Sequence, residues 1–116
     1  MSDRLNGILR RLTHLAGVRG AMVVDAEAGV PVASELAEGV GETAMAALAG
    51  SLFGRTADAS VAGGFGRLRL LQLEAESGHL VVAGNGELLV VALTEPEAQL
   101  GLVRVQATRA AKELVE

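Results

Sequence analysis

"GHLVVAGNGELLVVAL", residues 78–93, decides how this chain is read. Its glycines around Asn85 suit either a loop that cradles a phosphate or a turn that folds one strand back on another. A phosphate loop needs a glycine-rich turn that opens a helix, usually with Lys and Ser or Thr following. Here Gly86 is followed by "ELLVVAL", a strand-forming run without such a Lys. The stretch therefore predicts a hairpin with a two-residue type I′ loop at Asn85-Gly86, the residue types that best tolerate the positive φ angles required. Ala83 would pair with Leu88, Val82 with Leu89, Val81 with Val90 and Leu80 with Val91. One face then carries Leu80, Val82, Leu89 and Val91; the other carries Val81, Ala83, Leu88 and Val90. Both faces are apolar, which marks two central strands covered on both sides.

After the hairpin, "TEPEAQLGLV" (94–103) predicts a helix start. Thr94 and Glu97 have capping-box spacing, Pro96 is tolerated in a first turn, and Glu95 and Glu97 complement the helix dipole. Leu100, Val103, Ala107, Ala110 and Leu114 form a helical stripe, with Arg104, Thr108 and Lys112 facing away from it. Before the hairpin, "RLRLLQLEAE" (67–76) predicts a third strand whose two faces both change character halfway. Arg67 and Arg69 share a face with Leu71 and Leu73, while Leu68 and Leu70 share the other with Gln72 and Glu74, as at a bulge or where a strand leaves one environment for another. A glycine-rich connector, "SVAGGFG" (60–66), precedes this strand.

Residues 41–57, "GETAMAALAGSLFGRTA", favour helix through their alanines, although Gly50 and Gly54 weaken it. Ala44, Ala47, Leu48, Ser51 and Leu52 make one face; Met45, Ala49, Phe53 and Leu52 make a second. A helix apolar on two faces needs two neighbours, and a single domain of this length supplies one. Further upstream, "VRGAMVVDAEAGVPVASE" (18–35) gives strands at Val18 to Asp25 and Val30 to Ser34. Pro31 cannot donate a ladder hydrogen bond, so the second strand belongs at a sheet edge. Leu5, Ile8, Leu9, Leu12 and Leu15 make the first helix amphipathic, closed by Gly17. The order is α-β-β-α-β-β-β-α in one domain spanning 1–116, an α+β fold with a mainly antiparallel sheet and helices on both faces.

Composition narrows the function. A net charge of −4 and only two aromatic residues among 116, Phe53 and Phe65, argue against nucleic-acid binding. With no cysteine, there is no disulfide, thiolate metal site or Cys nucleophile. Charges break up any signal-peptide core near the N-terminus, and the uncharged run Thr43 to Gly54 is too short to span a bilayer. A cytoplasmic protein without membrane insertion is expected. His14 and His79 stand apart from any acidic set with metal-ligand spacing, so neither metal nor cofactor is expected. Asp25 and Glu27 read as turn acids, and "GSLFG" lacks the central serine of a hydrolase elbow.

The hairpin "VRGAMVVDAEAGVPVAS", the alanine-rich central helix, "LLQLEAESGHLVVAGNGELLVVAL" and the closing "LGLVRVQATRAAKEL" together resemble the roadblock (dynein light chain) superfamily over nearly the whole chain. The resemblance implies a profilin-like/roadblock fold with sheet order 2-1-5-4-3, the central helix on one face and the terminal helices on the other. It implies a homodimer that packs central helices together and joins third strands, here through Met45, Leu48, Ala49, Leu52 and Phe53 with Leu68, Leu70 and Gln72. Such pairing would satisfy an exposed strand edge. It further implies a non-catalytic, prokaryotic regulator of a small Ras-like GTPase, similar to gliding-polarity regulators, which reshape the GTPase's own switch residues. The alternative is a structural adaptor with no effect on GTP turnover. Arg55, Arg67 and Arg69 read either as solvated charge, with Arg55 complementing a helix C-terminus, or as a contact for an acidic partner patch.

Overall fold

Five strands in the order β2-β1-β5-β4-β3, every neighbouring pair antiparallel, form the backbone of the computed structural model, which describes residues 2–115. The elements are α1 (Ser2–Thr13), β1 (Val18–Asp25), β2 (Pro31–Leu36), α2 (Glu42–Ala62), β3 (Leu70–Ala75), β4 (Gly78–Gly84), β5 (Leu88–Thr94) and α3 (Leu100–Glu113). The expected element order and strand order both stand. Pro31 opens β2 at the sheet edge, where its missing N–H costs no ladder bond.

Strand alternation splits the core in two. Val81, Ala83, Val90, Ala92, Ala21 and Val23 face α1 and α3, meeting Leu5, Ile8, Leu9 and Leu12 of the first and Val103, Ala107, Ala110 and Ala111 of the second. Leu80, Val82, Leu89, Val91, Met22 and Val24 face α2, meeting Ala46, Ala49 and Phe53. Small alanines on α2 and α3 let these helices sit close to the valine-rich sheet. Gly50 serves the same end, since a Cβ there would lie 3.0 Å from the Gly29 Cα in the β1–β2 turn.

The hairpin forms, in a different register. Ala83 pairs with Val90 and Val82 with Val91, so each partner lies two residues further along β5 than the type I′ loop predicts. The turn's central residues are Gly86 and Glu87: the Asn85 N–H donates to the Leu88 carbonyl at 3.1 Å, and Gly86 alone has a positive φ, +107°. One positive φ at the first central position is the requirement of a type II′ turn, not of type I′. Asn85 serves with its side chain, whose Oδ1 accepts from the N–H groups of Glu87 (3.0 Å) and Leu88 (2.9 Å). A shift of two preserves side-chain parity, so every face assignment survives.

Other boundaries also move. α1 ends at Thr13 instead of reaching Gly17, and β2 occupies Pro31–Leu36 instead of Val30 to Ser34. α2 runs on through Ser60, Val61 and Ala62, and the connector begins only at Gly63. β3 starts at Leu70 and pairs regularly with β4, so no bulge explains its changing faces. Leu68 packs with the α2 core and Leu70 with the α1/α3 core, so alternation breaks before the strand begins. The Thr94 capping box does not form. Thr94 is the buried last residue of β5, its hydroxyl donates to the Glu95 carbonyl at 2.9 Å, and the cap of α3 is Gln99.

Candidate functional site

The outward side of α2 leaves apolar surface uncovered beside the core. Ala46, Ala49 and Phe53 press onto the sheet, while Leu48 is 48% exposed and Ala44, Ala47, Ser51 and Gly54 face solvent. Between this helix and the β3 side of the sheet lies an open hollow of about 490 Å³. Met45, Leu48 and Leu52 of α2 line one wall, and Leu73, Leu80 and Leu93 line the floor. At its end, the His79 Nε2 lies 2.9 Å from the Pro96 carbonyl oxygen. A carbonyl only accepts, so Nε2 carries the proton, and the buried Nδ1 has no hydrogen-bond partner.

The residues expected at a dimer seam fall into three positions. Met45, Leu48 and Leu52 come together at the hollow, with Leu68 half-buried against the same core. Ala49 and Phe53 lie beneath them, turned onto the protomer's own sheet. Leu70 and Gln72 are on the opposite face of β3, Leu70 against the α1/α3 core and the Gln72 Oε1 3.5 Å from the Arg104 guanidinium of α3. β3 itself is an edge strand with one side unpaired.

The arginines separate as well. Arg55 is exposed in the middle of α2, seven residues before its end, so it does not complement the helix C-terminus. Arg67 and Arg69 instead line a hollow of about 380 Å³ with Ala111 and Lys112 of α3 and with Val115 just beyond it. A second hollow of the same size, lined by Leu70, Arg104, Val105, Arg109 and Lys112, adjoins it through Thr108 and Lys112. The polar stripe Arg104-Thr108-Lys112 was visible in the sequence; its position beside Arg67 and Arg69 depends on α3 lying across the sheet next to β3. Phe65, 86% exposed after α2, is a second feature that sequence reasoning passed over, its signal being an aromatic within a glycine-rich connector.

Asp25 holds its turn, accepting at Oδ1 from the N–H groups of Glu27 (3.1 Å) and Ala28 (2.8 Å). Among the described residues no group of three or more His, Cys, Asp or Glu is placed to hold a metal ion. No helix there is long and apolar enough to cross a membrane.

This surface sits in a fold shared with known proteins. The Roadblock/LC7 domain model matches residues 5–93, from the first buried leucine of α1 to the last residue but one of β5. The chain belongs to the Roadblock/LC7 family. An uncharacterised protein of Methanocaldococcus jannaschii, MJ1340, is 32% identical over 114 residues, covering 98% of this chain and 96% of its own. Two solved structures share the Roadblock/LC7 fold. Myxococcus xanthus MglB superposes with a TM-score of 0.86 at 21% identity, covering 97% of this chain and 85% of its own. The gliding protein MglB of Thermus thermophilus gives 0.84 at 22% identity, covering 97% and 86%.

Proposed function

We propose that this Roadblock/LC7 protein is a non-catalytic homodimeric regulator that binds a small Ras-like GTPase and modulates its nucleotide cycle. The observation that carries the reading is the outward face of α2, where Leu48 stands half exposed beside an open apolar hollow. Ala44, Ala47, Ser51 and Gly54 leave room for a second helix to approach closely. A second copy seated there would cover Met45, Leu48 and Leu52, while Ala49 and Phe53 set the height of the seam from beneath. Leu68 would lie at its rim. Leu70 and Gln72 would contribute through the backbone of β3, whose open edge would pair with the partner's and extend the sheet. Stable interfaces bury about 1,600 Å² in total, a size that a helix face and a strand edge together can supply.

Family membership and the likeness to MglB support the regulator reading. Arg55, exposed on the helix that forms the seam, would meet an acidic patch of the GTPase and influence mainly the rate of encounter. The test mixes the purified full chain with Ras-like GTPases encoded in the same genome. Co-elution and altered GTP turnover are expected with at least one; no binding and no change with any of them overturns the reading. A retained partner without altered turnover would favour the adaptor alternative. Leu48→Asp should yield a folded monomer by circular dichroism and light scattering, and an unchanged dimer would rule out this seam.

A further inference from the structure

The groove between α3 and the start of β3 gathers Arg67, Arg69, Arg104, Arg109 and Lys112, half of the ten Lys and Arg in a chain of net charge −4. No described carboxylate lines either of its two adjoining hollows. The ion pairs among the described residues are Arg11–Glu113 and Arg19–Glu95, so none of the five is neutralised that way. Glu113, the one acid on α3, is turned toward α1, where Arg11 holds it at 2.6 Å and Arg4 donates to its carbonyl. Glu74 reaches Arg104 only through the Gln72 amide, which donates to the Glu74 carboxylate at 3.1 Å and accepts from Arg104 at 3.5 Å. Like charges gathered without a direct ion pair repel one another, and a negative partner relieves that repulsion. Apolar surface lies among them: Val105 is 51% exposed and Val115 65%.

We propose that this groove docks an acidic, partly apolar segment of a partner protein in extended conformation. Spacing favours an extended segment. Arg104, Thr108 and Lys112 succeed one another at four-residue steps, about 6 Å along a helix. Alternate side chains of an extended chain recur at about 6.6 Å, so carboxylates at every second position stay in register with that row. The groove lies on the opposite side of the sheet from α2, so the inference does not rest on the GTPase reading, while Leu68 and Leu70, which line it, also belong to the proposed β3 seam.

The test is fluorescence anisotropy with the full chain and a labelled octapeptide carrying Glu at every second position, with Val and Ser between. Saturable binding is expected, weakened at least tenfold by Arg104→Glu with Lys112→Glu and by raising salt from 50 to 300 mM. Arg10→Glu on α1 should leave it unchanged, and the peptide with Gln for Glu should not bind. Amide shifts in the full chain should map to 67–70 and 104–115. No binding, binding indifferent to the double substitution, or shifts confined to α2 would overturn the proposal. So would an RNA or an anionic vesicle that binds through these same residues while the peptide does not.

Discussion

Asn85 shows how one side chain fixes a turn without adopting the backbone conformation its type suggests. Its Oδ1 caps the N–H groups of Glu87 and Leu88, and its Nδ2 donates to the Ala111 carbonyl of α3 at 3.0 Å. The hairpin tip is thereby tied to the last turns of α3, over the α1/α3 core. Asn85→Ala removes all three bonds at once and should cost about 1–3 kcal/mol in urea denaturation, given the cost of leaving partly buried groups unpaired. An unchanged midpoint would mean that water replaces the side chain at no cost. The sequence marks Asn85 as a turn residue but not which use it makes of the turn. Asn serves equally as a residue tolerating positive φ and as a local acceptor, and only the second applies here.

At the scale of elements, α2 contains two glycines with different roles. Gly50 is required by the close approach to Gly29, whereas a Cβ on Gly54 would meet nothing within 4 Å in the protomer. Gly54→Ala should therefore stabilise the isolated protomer by up to about 1 kcal/mol through helix propensity. Denaturation in the Leu48→Asp background measures this gain. In the wild-type background the same substitution should raise the dimer dissociation constant, because the added methyl crowds the helix seam. A gain in both backgrounds would move Gly54 out of the proposed interface. Strong periodicity made α1, α3 and both faces of the β4–β5 hairpin legible, since parity survives a two-residue slip. Boundaries were less so. "DASVA" continues α2 because nothing breaks a helix before Gly63, and Thr94, five residues before the α3 cap Gln99, was already committed to the end of β5. Of the candidate site, the outward α2 residues were readable from helical spacing. The split of Arg55 from Arg67 and Arg69 was not, because it depends on which layer each element joins.

For the whole molecule, the two helical layers differ in charge as well as in covering. α1 and α3 carry Arg4, Arg10, Arg11, Arg104, Arg109 and Lys112 against Asp3 and Glu113, six minus two, or +4; α2 carries Arg55 against Glu42 and Asp58, one minus two, or −1. Self-association through α2 therefore brings together the nearly neutral, apolar layers and leaves the basic layers outward, away from each other. Association of this kind links stability to concentration, because dilution favours unfolded chains over dimer. With about 0.7 kcal/mol per residue of unfolding enthalpy, a dimer of this size should gain about 3 °C in Tm for each tenfold rise in protein concentration. Scanning calorimetry across two decades of concentration measures it. Leu48→Asp should abolish the dependence, whereas Arg104→Glu with Lys112→Glu should leave its slope intact. A wild-type Tm independent of concentration would show that the protomer unfolds alone and that the outward face of α2 is covered by something other than a second copy.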